Sequence, residues 1–242
     1  MIKKIKSAIN RIVKALSFGI DLDDITLAAK IGNQNRVKEL IDEGVDIDKR
    51  DNQGYTALMI SAFNGATETV KKLIEAGADI NAKSDKGTTA LTFAVMKQNA
   101  EVVKILIRQG ADINLSDDQG VTALMEAVLN ENVEITKTLI EAGAEINTKD
   151  ENDYTPLMGA VVKNNYKTTK LLIDRGANLN EENKEEYTSL MIAAYEGHKN
   201  IVELLVDSGA DISAKSQEGY TALDWAKKEN NSEIVDILGN AQ

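Results

Sequence analysis

The chain has 242 residues, 43% of them hydrophobic and 28% charged, with a net charge of −11, one histidine, one proline and no cysteine. The lack of thiols excludes disulfides, zinc–thiolate sites and a cysteine nucleophile. The acidic balance repels nucleic-acid phosphates and attracts basic proteins over about a Debye length, so a protein partner is expected and a nucleic acid is not.

Residues 1–20, "MIKKIKSAINRIVKALSFGI", hold five basic residues and no acidic ones, which leaves 23 basic against 39 acidic residues in the rest of the chain. Ile2, Ile5, Ile9, Ile12, Val13 and Leu16 fall within a helical stripe of about 100°, with Lys3, Lys4, Lys6, Arg11 and Lys14 outside it. The spacing predicts an amphipathic helix. Its basic side chains interrupt the apolar core that a secretion signal needs, and nowhere is there the run of roughly 20 apolar residues that spans a bilayer. A cap on the first folded unit is the first reading of this segment; a surface anchor for anionic lipid and a partner-binding helix are the alternatives. A cytoplasmic monomer is expected.

From residue 21 onward the chain repeats every 33 residues. Gly54, Gly87, Gly120, Asp153, Glu186 and Gly219 hold one position, and Thr56, Thr89, Thr122, Thr155, Thr188 and Thr221 stand two residues later. Self-similarity at such a period means a stack of supersecondary units, which overrides any domain count taken from length. The predicted units are 21–53, 54–86, 87–119, 120–152, 153–185, 186–218 and 219–242. Within the second of these, "TALMISAF" predicts a short apolar helix, Gly65 ends it, and "TETVKKLIEA" predicts a second helix with Val70, Leu73 and Ile74 on one face. Gly77 and its equivalents at 44, 110, 143, 176 and 209 suit the left-handed residue that follows a helix, a conformation costing other residues about 1 kcal/mol or more. "ADINAKSDKG" then leads through a turn-rich link into the next unit.

"GYTALMISAFNGATETVKKLIEAGADINAK" and "EYTSLMIAAYEGHKNIVELLVDSGADISAK" resemble ankyrin repeats, and the resemblance extends over residues 21–242. It implies an all-α solenoid of helix-turn-helix units with hairpin-like connecting loops, curved so that hairpin tips and first helices line a concave face. The first and last units would be caps with polar outer faces, a role that "KKENNSEIVD" fits. The family's proline survives only as Pro156. Its histidine, which ties neighbouring units by hydrogen bonds, is replaced by Met59, Thr92, Met125, Met158, Met191 and Asp224. The methionines are expected to fill space between stacked helices.

No catalytic, cofactor or metal site is expected. His198 lies in "EGHKN", at the Gly-His turn of the resemblance, where a structural capping role is expected, and no serine in a strand-turn-helix elbow accompanies it. "DIDKRDNQG" imitates the start of a calcium loop, but Arg50 stands at a ligand position and the closing glutamate is missing.

The interaction candidates come from the tips and the first helices. Asp51, Asp85, Asp117, Asp118, Asp150, Glu151, Glu185 and Glu218 cluster at the expected tips against only Lys86 and Lys184, while Lys71, Lys104, Lys137 and Lys170 repeat along the second helix. Some tip aspartates serve the turn itself; Asp85, Asp118 and Glu151 are the binding candidates. Tyr55, Tyr154, Tyr187 and Tyr220 follow the opening residue, on the implied hairpin. A second implied concave position reads Phe63, Met96, Leu129, Val162, Tyr195 and Lys228. Apolar residues at a position that a plain solenoid would leave polar mark a binding stripe, with the tyrosines as anchors. The expected function is recognition of a protein partner without catalysis, either as an inhibitor or immunity-type protein that occludes a basic enzyme or toxin, or as a scaffold or adaptor.

One core position is irregular. It reads Ile60, Phe93, Glu126, Gly159, Ile192 and Trp225, so a carboxylate and a missing side chain fall in adjacent units, and the next helix carries Thr168 and Thr169 in place of an apolar pair. A buried unpaired carboxylate costs several kcal/mol, so Glu126 is expected to reach water or a partner, with the space beside Gly159 as one route. Residues 120–185 are expected to be the softest part of the stack: their amides should exchange faster than those of the flanking repeats, and uniform protection across the central repeats would refute this.

Overall fold

The computed structural model describes residues 24–241. The basic segment 1–20 lies outside the described residues. Among the described residues there are helices, turns and one isolated bridge between Ser116 and Thr122, but no strand. The chain divides into two compact units, one ending at Ala111 and one beginning at Asp112.

The first unit holds α1 (Ile25–Lys30), α2 (Gln34–Asp42), α3 (Ala57–Phe63), α4 (Thr67–Glu75), α5 (Ala90–Met96) and α6 (Ala100–Arg108). Helices α1, α3 and α5 stack side by side, α2, α4 and α6 form a second row, and each first helix packs on its own second helix. The second unit repeats the plan with α7 (Ala123–Leu129), α8 (Val133–Glu141), α9 (Pro156–Val162), α10 (Tyr166–Asp174), α11 (Ser189–Tyr195), α12 (Lys199–Asp207), α13 (Ala222–Lys228) and α14 (Ser232–Asn240). There α7, α9, α11 and α13 make the first row and α8, α10, α12 and α14 the second.

The two rows differ because their sequences do. In α3 all residues but Phe63 are buried, so the helix has no polar face to give to water. In α4 the buried residues are Thr69, Val70 and Leu73, a single stripe, and the remaining surface is charged. Each first helix from α3 onward starts after a threonine in extended conformation. Its hydroxyl accepts the N–H three residues on, at 3.3 Å from Thr56, Thr89, Thr122, Thr155 and Thr221 and at 3.4 Å from Thr188. Gly54 shows why the opening residue is so often glycine. It has φ +72°, and a Cβ there would come within 2.6 Å of the Asp85 amide nitrogen. Asp153 and Glu186 adopt the same left-handed turn at φ 60° and 61°.

Met59, Met125, Met158 and Met191 are buried at the position where the family's histidine would stand. The Met59 sulfur also accepts the Thr56 N–H at 3.5 Å. Asp224 accepts from the Thr221 N–H at 3.0 Å and hydroxyl at 2.7 Å, which holds its carboxyl below the usual carboxylate range. The polar ties between repeats lie instead in the loops. Side-chain oxygens of Asp48, Asn114, Asn147 and Asn180 accept the N–H of Asp79 (3.0 Å), Glu145 (2.9 Å), Asn178 (2.9 Å) and Asp211 (2.8 Å) in the following repeat. At the tips, the backbone N–H groups of Asp85, Glu151, Lys184 and Gln217 donate to the carbonyls of Gln53, Gln119, Asn152 and Glu185 respectively.

One expectation is corrected. His198 precedes α12 at the N-cap position but its side chain makes no capping bond, and Nε2 is buried without a partner; the asparagines at equivalent positions 33, 132 and 165 supply an amide oxygen that caps. Of the lysines that repeat along the second helices, Lys71, Lys137 and Lys170 pair with Glu68, Glu141 and Asp174 on their own helices at 2.8, 3.7 and 3.1 Å. Glu126 reaches a partner, and by a route other than the space beside Gly159: its carboxylate accepts from the amide of Asn130, the C-cap residue of α7, at 2.8 Å. The hollow at Gly159 measures only about 80 Å³ and is lined by Met125, Leu129, Tyr154 and Pro156 among others.

Thr168 and Thr169 are both fully buried. The Thr169 hydroxyl donates to the Asn165 carbonyl at 2.9 Å, whereas the Thr168 hydroxyl has no partner. Of the equivalent residues, Thr69 is likewise a buried hydroxyl without a partner, whereas Val102, Ile135, Ile201 and Ile234 are aliphatic and buried. A buried hydroxyl without a partner costs about 1–3 kcal/mol, so Thr168→Val should raise the unfolding free energy by about 1 kcal/mol in a urea titration; a decrease would show that the hydroxyl is satisfied.

Candidate functional site

In the first unit, Phe63 closes α3 at 39% exposure and Met96 closes α5 at 41%. Tyr55, on the loop before α3, and Phe63 both meet the Phe93 ring of the next repeat edge to face, at centroid distances of 5.2 and 6.0 Å. These three rings line a shallow trough of about 240 Å³ together with Lys30, Asp51 and Met59. The Lys97 ammonium sits 4.4 Å over Phe63. Met96 does not line this trough.

In the second unit, Leu129, Val162 and Tyr195 end their helices at 42%, 44% and 48% exposure. Tyr154, Val162, Tyr187 and Tyr195 line one open trough of about 580 Å³, with Trp225 in its floor and Glu196, Lys228 and Glu229 at its border. Leu129 belongs instead to the small hollow at Gly159. Trp225 is the centre of the aromatic packing. The rings of Tyr187, Tyr195 and Tyr220 meet it at 5.6, 5.5 and 5.1 Å with interplanar angles of 65°, 87° and 71°. Such pairs contribute about 0.5–1.5 kcal/mol each beyond their buried area. The Lys228 ammonium lies 4.3 Å over Trp225 and 5.1 Å over Tyr220.

One carboxylate is tied into this cluster. The Tyr187 hydroxyl donates to Glu218 at 3.2 Å, and the Ser216 hydroxyl donates to the same carboxylate at 2.8 Å. Those bonds, that from Ser216 first, hold Glu218 below the usual carboxylate range, while burial and then Glu218 push the Tyr187 phenol up.

The tip carboxylates divide into two groups. Asp51, Asp117 and Asp150 each accept backbone N–H groups two and four residues on, at 2.8 to 3.0 Å, and so hold their own turns. Asp85, Asp118 and Glu151 are exposed. Sequence reasoning placed Trp225 and Phe93 in the core without assigning them to a site. The signal that joins them to it is a spacing: Tyr55, Phe63 and Phe93 recur as Tyr187, Tyr195 and Trp225, four 33-residue steps later. Glu196 and Glu229 stand one 33-residue step apart, at a position that reads Asn64, Lys97, Asn130 and Lys163 in earlier repeats, so the pair is acidic only in the last two and its place at the trough became apparent from the packing.

Among the described residues no group of carboxylates and histidine is placed to hold a metal ion, and no helix is long and apolar enough to cross a membrane. A family model described as "Ankyrin repeats (3 copies)" matches residues 5–84, 82–150 and 157–242. The chain belongs to the ankyrin-repeat family. The first match begins upstream of residue 21, so the sequence likeness of this ankyrin-repeat protein reaches into its basic segment. Among solved structures it is similar to the ankyrin repeat domain of Bcl-3, described as a unique member of the IkappaB protein family: TM-score 0.79 and 29% identity over 88% of this chain and 97% of that one. No curated protein sequence matches it. Ankyrin repeats generally mediate protein–protein interaction.

Burial separates structural from surface roles within the cluster. Trp225 is 5% exposed and Tyr195 48%. Trp225→Ala should cost about 3–5 kcal/mol in urea unfolding, and Tyr195→Ala about 1 kcal/mol, the scale of one lost ring contact.

Proposed function

We propose that this ankyrin-repeat protein binds a protein partner with a basic surface, using the aromatic trough of its second unit and no chemistry of its own. The observation that supports this reading is the convergence of Tyr154, Val162, Tyr187 and Tyr195 on one open trough bordered by Glu196 and Glu229. Aromatic rings give large contact area at low cost in lost freedom, which is why they dominate binding energy at interfaces. The excess of 39 acidic over 28 basic residues steers a basic partner toward the protein and raises its rate of encounter. The exposed carboxylates Asp85, Asp118 and Glu151 add to that field.

Two finer versions share this contact. In one the protein is an inhibitor or immunity-type protein that occludes a basic enzyme or toxin; in the other it is a scaffold that leaves its partner active. The partner's activity with and without the protein separates them.

The test is affinity capture from the native source at physiological salt, comparing the wild type with a Tyr154→Ala, Tyr187→Ala, Tyr195→Ala variant shown to be folded by circular dichroism. The expected result is a basic protein held by the wild type, lost from the variant and released as salt is raised. Equal retention by both would move the contact off this trough.

A further inference from the structure

The two aromatic triads have nearly the same geometry, and each carries a cation. Lys97 lies over Phe63 in the first unit, and Lys228 lies over Trp225 and Tyr220 in the second, at 4.4, 4.3 and 5.1 Å. A ring face is the negative end of the aromatic quadrupole and attracts an ammonium or guanidinium group. These lysines therefore mark where a cation is accepted.

The surroundings favour the second unit. The first trough sets Lys30 and Lys97 against Asp51, whose carboxylate already accepts two backbone N–H groups. Around the second, the carboxylates Glu196 and Glu229 line the trough together with Lys228, while Glu218 at its tip accepts from Tyr187 and Ser216. This site also has a fourth ring, Tyr220, against Trp225.

We propose that the Tyr187–Tyr195–Tyr220–Trp225 cluster is a receptor for an arginine side chain of the partner, and that Lys228 holds the place of its guanidinium in the free protein. This rests on the reading that the partner is a basic protein, and it names the group by which that partner is recognised. Arginine fits better than lysine because its planar head stacks on aromatic faces, is more weakly hydrated, and offers a rigid fork of donors to carboxylates such as Glu196 and Glu229. Lys228 can leave. It is the last residue of α13, is exposed, and has a flexible stem whose head can turn into water. Its departure uncovers the face of Trp225, which is otherwise 5% exposed. One cation then replaces another, so the negative border stays compensated in both states.

Trp225 is the chain's one tryptophan and reports on the site directly. The full chain is titrated with an end-blocked Gly-Arg-Gly peptide at low salt, following Trp225 fluorescence and the indole N–H resonance. The same titration is made with the neutral citrulline peptide and with the lysine peptide. The proposal expects a saturable response to arginine that is weaker for lysine and absent for citrulline. Lys228→Met should bind the arginine peptide about three- to tenfold more tightly, because the competing cation is gone. Lys170→Met, which removes the same charge from the second-helix side, should leave the affinity unchanged.

An absent response by both probes, an equal response to citrulline, or stronger binding of lysine would overturn the arginine receptor. Equal tightening by Lys228→Met and Lys170→Met would overturn the role of Lys228. If the peptide fails while a basic partner is still captured through the trough, the receptor falls and the binding reading stands.

Discussion

The fold depends on starting a helix inside a packed interior. From α3 to α11 the first-row helices are buried on almost every side, so the amide groups of their opening turns cannot turn to water, and an orphaned buried donor costs about 1–3 kcal/mol. A threonine at the same place in each repeat from residue 56 onward removes one such orphan locally. With each first helix begun at a fixed residue, seven positions later it is spent, and the second helix must start at the same point of every repeat. The 33-residue period is the spacing between these caps. It brings the loop oxygens of Asp48, Asn114, Asn147 and Asn180 level with the amides of the next repeat.

This division of labour explains why the family's histidine can be dispensed with. Polar ties have moved to the exposed loops, where an imperfect bond can be supplemented by water, and the interior position is left to methionine. The side chain of methionine is adaptable enough to fill the uneven gap between two helices without needing a partner. Thr69, Thr168 and His198 are among the residues that run against that logic by bringing unpaired polar atoms into the interior.

Much of this was legible in the sequence because repetition supplies its own controls. The threonine, the glycines after each second helix and the apolar spacing of α3 could be compared across six repeats, so the helix pairs did not depend on any single propensity. What defeated sequence reading lay between repeats. Glu126 looked stranded in the core because the rescuing residue, Asn130, stands at the C-cap of the same helix, at a position that alternates between asparagine and lysine in repeats whose core residue needs no partner. His198 stood where asparagine caps, but position alone does not fix where an imidazole points. The tyrosines were visible as a column, whereas their convergence on Trp225 joins residues 30 and 38 apart in the sequence, distances that belong to no single repeat.

That last spacing ties recognition to the packing of one repeat on another. Tyr187 and Tyr195 belong to one repeat, while Tyr220 and Trp225 belong to the next, so the cluster exists only while α13 and α14 are docked on α11 and α12. Occupancy of the cluster and that docking are therefore one linked equilibrium: a ligand held there also clamps the two repeats together, and whatever loosens α13 and α14 weakens the ligand's hold by the same free energy.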